Sequence, residues 1–282
     1  MKKFFIVLFA LSTLCAAGCN PEEFFDREVD AYGLQYIERM VVEGMLVDGR
    51  TVDSIKFSRT LPLTEKYTWQ KAMLTTVTAE IRVDGATYPL RHIGNGKYDV
   101  PGLLPQSGKT YSLTAEWNGM KISATTMVPV PATIDTVILD KRRYTWSPDY
   151  EYYYATILFR PVDANVYRTA TLRPYNFDRD TISQQFGPYD YVAQRKDTTD
   201  DGRVHIGEAL HMIYDTTRMN RYNFLLTSLD NQYYDFFMTF SKYQGDNPFG
   251  NGMQLIHWNV KGDGMGLFIG TSSSRKTIMV KG

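Results

Sequence analysis

The sequence predicts an all-β protein with one helix. An N-terminal immunoglobulin- or fibronectin-like β-sandwich occupies residues 36–130, and a second β-rich domain carrying an amphipathic helix occupies 131–282. Three observations predict this. Apolar side chains recur at every second position through most of the chain, which places one set on a core face and the other in water. Asp-Gly and Asn-Gly dipeptides join consecutive alternating stretches, as two-residue hairpin turns require. After Ser228, and only there, the period lengthens to that of a helix.

The chain begins with a leader. Lys2 and Lys3 precede an apolar run from Phe4 to Leu14, too short for a membrane span of roughly 20 residues. Leu14-Cys15-Ala16-Ala17-Gly18-Cys19 follows at once. This arrangement resembles a bacterial lipoprotein signal, which implies cleavage before Cys19 and lipid attachment to it; an ordinary secretory leader with a chance cysteine is the alternative. Each buried CH₂ contributes about 0.8 kcal/mol, so the three acyl chains implied by the resemblance make a lasting anchor. Residues 19–35 then read as a tether, whose Glu22, Glu23 and Asp26 resemble the acidic export signal of surface-exposed Bacteroidetes lipoproteins. A merely solvated tether is the plainer reading.

Removing residues 1–18 takes away Lys2, Lys3 and Cys15 and leaves 264 residues with 29 basic against 31 acidic side chains. Near-neutral charge without a basic tract argues against nucleic acid as a partner. Cys19 is then the sole cysteine, so the fold rests on its core rather than on a disulfide. Twenty Tyr, twelve Phe and four Trp remain to supply that core with rings.

In the first unit, Met40 to Val47 reads as a buried strand, and Ile55 and Phe57 alternate with polar neighbours. Val77, Ala79, Ile81 and Val83 line one face before the Asp84-Gly85 turn, and Ala86 to Leu90 returns. Tyr111, Leu113, Ala115 and Trp117 lead to Asn118-Gly119, after which Ile122, Ala124, Thr126 and Val128 come back. Short strands at this spacing predict a sandwich, with a small barrel as the alternative. Pro129-Val130-Pro131 cannot lie in a central strand, so it is expected to separate two units with their own cores.

The second unit opens on a strand from Ile134 to Leu139. Tyr144, Trp146, Tyr150, Tyr152, Tyr153 and Tyr154 then run into Ala155 to Phe159. These rings form either a stacking platform for a planar ligand or a strand with buried rings and wet hydroxyls. Tyr167 to Arg173 alternates again. Residues 175–204 are polar and irregular, the place where binding side chains collect. Tyr150, Tyr152, Tyr175, Tyr189 and Tyr191 are therefore the candidate ligand-binding residues. Asp197-Thr198-Thr199-Asp200-Asp201-Gly202 lacks the ligand spacing of a calcium loop and reads as a solvated turn.

Leu210 to Tyr214 and Tyr222 to Thr227 are further strands. Leu229, Tyr233, Phe236, Phe237, Phe240 and Tyr243 then make one helical stripe, with Ser228 as N-cap, Gly245 as the stop, and Asp230, Asn231, Asp235 and Lys242 on the polar face. Met253 to Val260 and Met265 to Thr271 suggest a hairpin around Lys261-Gly262-Asp263-Gly264, and Thr277 to Val280 a last strand.

The motifs Val41-Val42-Glu43-Gly44, Ser58-Arg59-Thr60, Ile134-Asp135, Asn247-Pro248-Phe249, Asn259-Val260 and Gly262-Asp263-Gly264-Met265-Gly266-Leu267-Phe268 occur in that order along the mature chain. Together they resemble a Bacteroidetes lipoprotein family named only as a domain of unknown function. The resemblance implies an outer-membrane lipoprotein encoded near TonB-dependent receptors and serving such an importer as its partner. It implies no catalytic residues.

The chain lacks a Gly-x-Ser-x-Gly elbow, a His-Glu-x-x-His helix and a phosphate loop. His92, His205, His211 and His257 are scattered, and only His205 and His211 are near in sequence. No catalytic residue, metal site or cofactor is expected. The expected function is non-enzymatic: ligand capture or capping for a TonB-dependent transporter, or alternatively structural or adhesive protein–protein contact at the cell surface.

Overall fold

The computed structural model describes residues 36–62, 64–143, 151–160, 167–174, 204–210, 219–236, 239 and 256–281. The alternating stretches become strands. β1 (Met40–Val47) and β2 (Ile55–Arg59) pair antiparallel and are followed by a one-turn helix, α1 (Trp69–Ala72). The hairpin of β3 (Thr78–Val83) and β4 (Ala86–Pro89) follows, then β5 (Arg91–Gly94) with β6 (Lys97–Asp99), then β7 (Thr110–Trp117) with β8 (Met120–Met127). All three hairpins turn on two left-handed residues: Asp84 and Gly85, Asn95 and Gly96, Asn118 and Gly119, with φ between 50° and 80°. The Asn95-Gly96 hairpin and α1 were not foreseen.

β9 (Ile134–Arg143), β10 (Glu151–Phe159) and β12 (Val204–Leu210) form a three-stranded sheet. β11 (Tyr167–Pro174) and β13 (Met219–Leu229) belong to a larger one. β12 begins within the tail of the tract expected to be irregular, and Leu210 is the only described residue of the strand expected at 210–214.

The expected hairpin around Gly262 is not one. β14 (Val260–Gly262) pairs with β8, in a five-stranded sheet ordered β14-β8-β7-β3-β4. The next strand, β15 (Gly264–Lys281), runs unbroken for 18 residues in a different, seven-stranded sheet ordered β11-β13-β15-β1-β2-β6-β5. The separate strand expected at Thr277 to Val280 is the end of this one. Residues Gly264 to Thr271 lie parallel to β1, and Thr271 to Lys281 lie antiparallel to β13. Among the described strands the last thus sits beside the first, and the sheet runs across the boundary read at Pro129–Pro131. Residues 36–130 do not make their sandwich alone, because each of its two sheets takes a strand from residues 260–281.

Three cores follow from this layout. Met40, Val42, Leu46, Ile55, Phe57 and Tyr98 of the large sheet meet Ala79, Ile81, Tyr111, Leu113, Ile122 and Ala124 of the five-stranded sheet. Ala132, Ile134, Ile157 and Phe159 pack on Phe224 and Leu226 of β13, so the three-stranded sheet makes a second sandwich with the same large sheet. Leu229, Tyr233 and Phe236 pack on Leu267 and Ile269. Phe268 faces the first core while its neighbours face the third, as the two-sided pleat demands.

A second helix, α2, covers 231–236, and residue 239 is also helical. Its buried stripe is as expected at Tyr233 and Phe236, while Leu229, expected to open the stripe, is buried beside them as the last residue of β13; Phe237, Phe240 and Tyr243 lie outside the described residues. Ser228 is not its cap. It remains in β13, and Asp230 caps the helix by accepting from the Gln232 N–H at 3.3 Å. Nor is Asp230 on the polar face, for it is only 7 % exposed.

Candidate functional site

The residues singled out as ligand-binding are not brought together within the described structure. Tyr152 lies in β10 opposite Arg142 of β9. Tyr150, Tyr175, Tyr189 and Tyr191 lie outside the described residues, as do Cys19, the leader, the tether and the Asp197–Gly202 turn. His205 is opposite Leu158 in β12, while His211 is outside. Among the described residues no three His, Cys, Asp or Glu side chains are grouped to hold a metal ion.

Three polar arrangements do stand out. The first joins the sandwiches. The Asp230 Oδ2 accepts from the Thr126 hydroxyl at 2.6 Å and from the Met127 N–H at 2.9 Å. Thr126 in turn accepts from the Gly270 N–H at 2.7 Å, and the Asp230 N–H donates to the Gly270 carbonyl at 3.1 Å. The Asn259 side chain acts likewise at Phe268, accepting from its N–H at 2.9 Å and donating to its carbonyl. Where β13 has not yet reached β15, these groups satisfy backbone positions that would otherwise be buried without partners.

The sequence signals for this were present but read differently. Asp is among the best N-cap residues, and Thr126 was placed correctly on the core face. Period-two reasoning does not say that a core-facing hydroxyl will meet a carboxylate 104 residues away.

The second arrangement is a pocket of about 290 Å³ beside the Asp84-Gly85 turn, lined by Tyr88, Leu103, Leu104, Lys109 and Tyr111 among others. Three of its polar side chains, Asp84, Lys109 and Tyr111, have partners. Lys109 reaches Asp84 at 2.7 Å, which raises the Lys109 pKa, and Tyr111 Oη accepts from the Gln106 N–H at 2.7 Å.

The third lies where the chain enters β1. Tyr36 donates to the Thr60 carbonyl at 2.5 Å, and Thr60 N–H donates to the Arg39 carbonyl at 3.0 Å. Arg59 pairs with Glu38 and also donates to the Lys71 carbonyl; hydrogen bonding to Glu38 raises its pKa. Lys71 pairs with Glu65 at 2.8 Å and, through that hydrogen bond, lowers the Glu65 pKa. These bonds fasten residues 60–72 to the start of β1.

Elsewhere charge and burial act singly. Arg91 holds Asp99 below the usual carboxylate range through a paired hydrogen bond. Burial raises the Tyr98 pKa, partly offset by the Val77 N–H that its oxygen accepts at 2.9 Å.

The fold and these sites define an all-β protein whose two sandwiches share a sheet and are latched by buried polar side chains. A family model described as a domain of unknown function (DUF4249) matches residues 25–277, and the chain belongs to that family. No curated protein matches it.

Proposed function

We propose that the protein is an outer-membrane lipoprotein, anchored through Cys19 and facing the cell exterior. In this reading it serves a TonB-dependent importer as a non-enzymatic accessory that captures ligand or caps the entrance. The observation that carries the proposal is the leader: a basic start, a short apolar run and Ala16-Ala17-Gly18 placed directly before Cys19. The acidic residues at Glu22, Glu23 and Asp26 support the outward orientation. Among the described residues no helix is long and apolar enough to cross a membrane.

Labelled palmitate should enter the wild type and not Cys19→Ala; incorporation into the variant would overturn the anchor. Pull-down of the tagged protein from native outer membranes should recover a receptor of the importer class. Recovery of matrix or pilus proteins instead would favour a structural or adhesive role.

A further inference from the structure

We propose that the pocket beside the Asp84-Gly85 turn is a binding site for a neutral sugar ring, one unit of a glycan whose remainder stays in solvent. The site stands apart from the Cys19 anchor; only its use in ligand capture for an importer rests on the reading above.

Shape comes first. Register puts Ala86 opposite Val83 and Tyr88 opposite Ile81, so Ala86 and Tyr88 lie on the core side of β4. Val83 and Ile81 are buried, yet Ala86 is exposed. A methyl group at this core-side position, together with Gly102 in the pocket lining, leaves the end of the sandwich open. The volume of about 290 Å³ lies at the bottom of the range of roughly 300–1,000 Å³ usual for small-molecule sites, which suits one ring and not a chain.

Lining chemistry is the second observation. The rings of Tyr88 and Tyr111 and the 51 % exposed Leu104 offer apolar surface. Beside them stand a carboxylate, an ammonium and an amide, from Asp84, Lys109 and Gln106. Lys109 uses one donor on Asp84, at 2.7 Å, and the ammonium carries further donors, while the carboxylate has acceptor sites to spare. The Gln106 amide and the Tyr88 hydroxyl make no hydrogen bond to another described residue.

Charge then selects the class of ligand. The Asp84–Lys109 pair cancels, so an anion is repelled by the carboxylate and a cation by the ammonium. A wholly apolar guest would cover these polar groups without giving them partners, which is costly. A sugar ring meets both demands. Its C–H face packs on tyrosine rings, and its hydroxyls donate to a carboxylate and accept from an ammonium or amide.

The test is saturation-transfer NMR on the full-length protein, in a detergent without a sugar headgroup. The probes are the methyl glycosides of glucose, galactose, mannose and N-acetylglucosamine. At least one should take up saturation, most strongly at its ring C–H groups, while glucuronate, glucosamine and cyclohexanol take up several-fold less. Ala86→Phe fills the mouth from an exposed position and leaves every polar group in place, and it should abolish the signal. Asp84→Asn with Lys109→Gln removes the ion pair and keeps a residue that tolerates the left-handed turn, and it should weaken the signal several-fold. Thermal melts show whether each variant is folded, and either folded variant suffices. No uptake by any of the neutral glycosides overturns the proposal. So does stronger uptake by glucuronate, glucosamine or cyclohexanol, or an unchanged signal in a folded variant. Glycoside binding by a protein whose Cys19→Ala form still incorporates palmitate would keep this site and lose the anchor; the reverse pair of results would keep the anchor and lose this site.

Discussion

Replacing Asp230 by alanine removes the acceptor for Thr126, Met127 and Gln232 together with the cap of α2. An uncompensated buried donor costs about 1–3 kcal/mol, and loss of a cap costs about 0.5–2 kcal/mol. Asp230→Ala is therefore expected to cost about 3 kcal/mol or more, measurable by denaturant titration. Asp230→Asn should cost less, because one oxygen can still cap α2 while the other position turns a donor toward Met127. Equal losses would mean that the latch to β8, not the cap, carries the effect. The Asp99–Arg91 pair gives a pH signature at the same scale. Asp99 has a lowered folded pKa, so its contribution is present above the unfolded value of about 4 and is lost as pH falls through the folded value. The stability gap between wild type and Arg91→Leu should therefore shrink on acidification below that range. The gap is small throughout, because the Arg91 side chain is 68 % exposed.

At the scale of elements, α2 is held by its rings. Phe236 is 8 % exposed and lies 5.2 Å from the Trp258 ring, so Phe236→Ala should cost about 3–5 kcal/mol in a thermal or denaturant melt. An unchanged midpoint would show that this face packs on a partner instead. β15 is held by its glycines. A Cβ on Gly266, at φ +128°, would collide with the Val42 carbonyl, and one on Gly270 with the Met127 carbonyl, so Gly266→Ala should give little folded protein by circular dichroism. These contacts also show why parts of the fold were legible and parts were not. Period two placed Val77, Ala79, Ile81 and Val83 on the core face, and Asx-Gly placed two turns, because both signals are local. The run Gly262-Asp263-Gly264 carried the same local signal and misled: Gly262 permits close approach to Lys121 of β8 and Gly264 to Met40 of β1, not a hairpin. Ser228 was misread as a cap for the same reason. The sequence shows where the helical period starts, while only the pairing of Ser228 with Ser272 and of Leu229 with Thr271 shows that β13 continues to Leu229.

The whole molecule is organised by pairing between its ends. β15 joins β1 on one side and β13 on the other, so the seven-stranded sheet is incomplete until the last residues are in place. Without it, Met40, Val42 and Leu46 would sit on an edge strand, and Phe268 and Ile269, both 0 % exposed, would be missing from two cores. Losses on that scale exceed the roughly 5–15 kcal/mol that separates a folded domain from its unfolded chain. A proline-bounded linker at 129–131 reads in the sequence as a border between independent units. In the structure it is a crossing between two sandwiches with a shared sheet, secured by Asp230 to Thr126 and by Ser274 to the Ala132 carbonyl.

Circular dichroism and a thermal melt of residues 36–130 expressed alone test this organisation most directly. The shared-sheet account expects no cooperative transition from the fragment, with the full-length chain melting cooperatively under the same conditions. A fragment with a β spectrum and a sharp melt of its own would contradict it, and would show that β14 and β15 decorate a sandwich already able to stand alone.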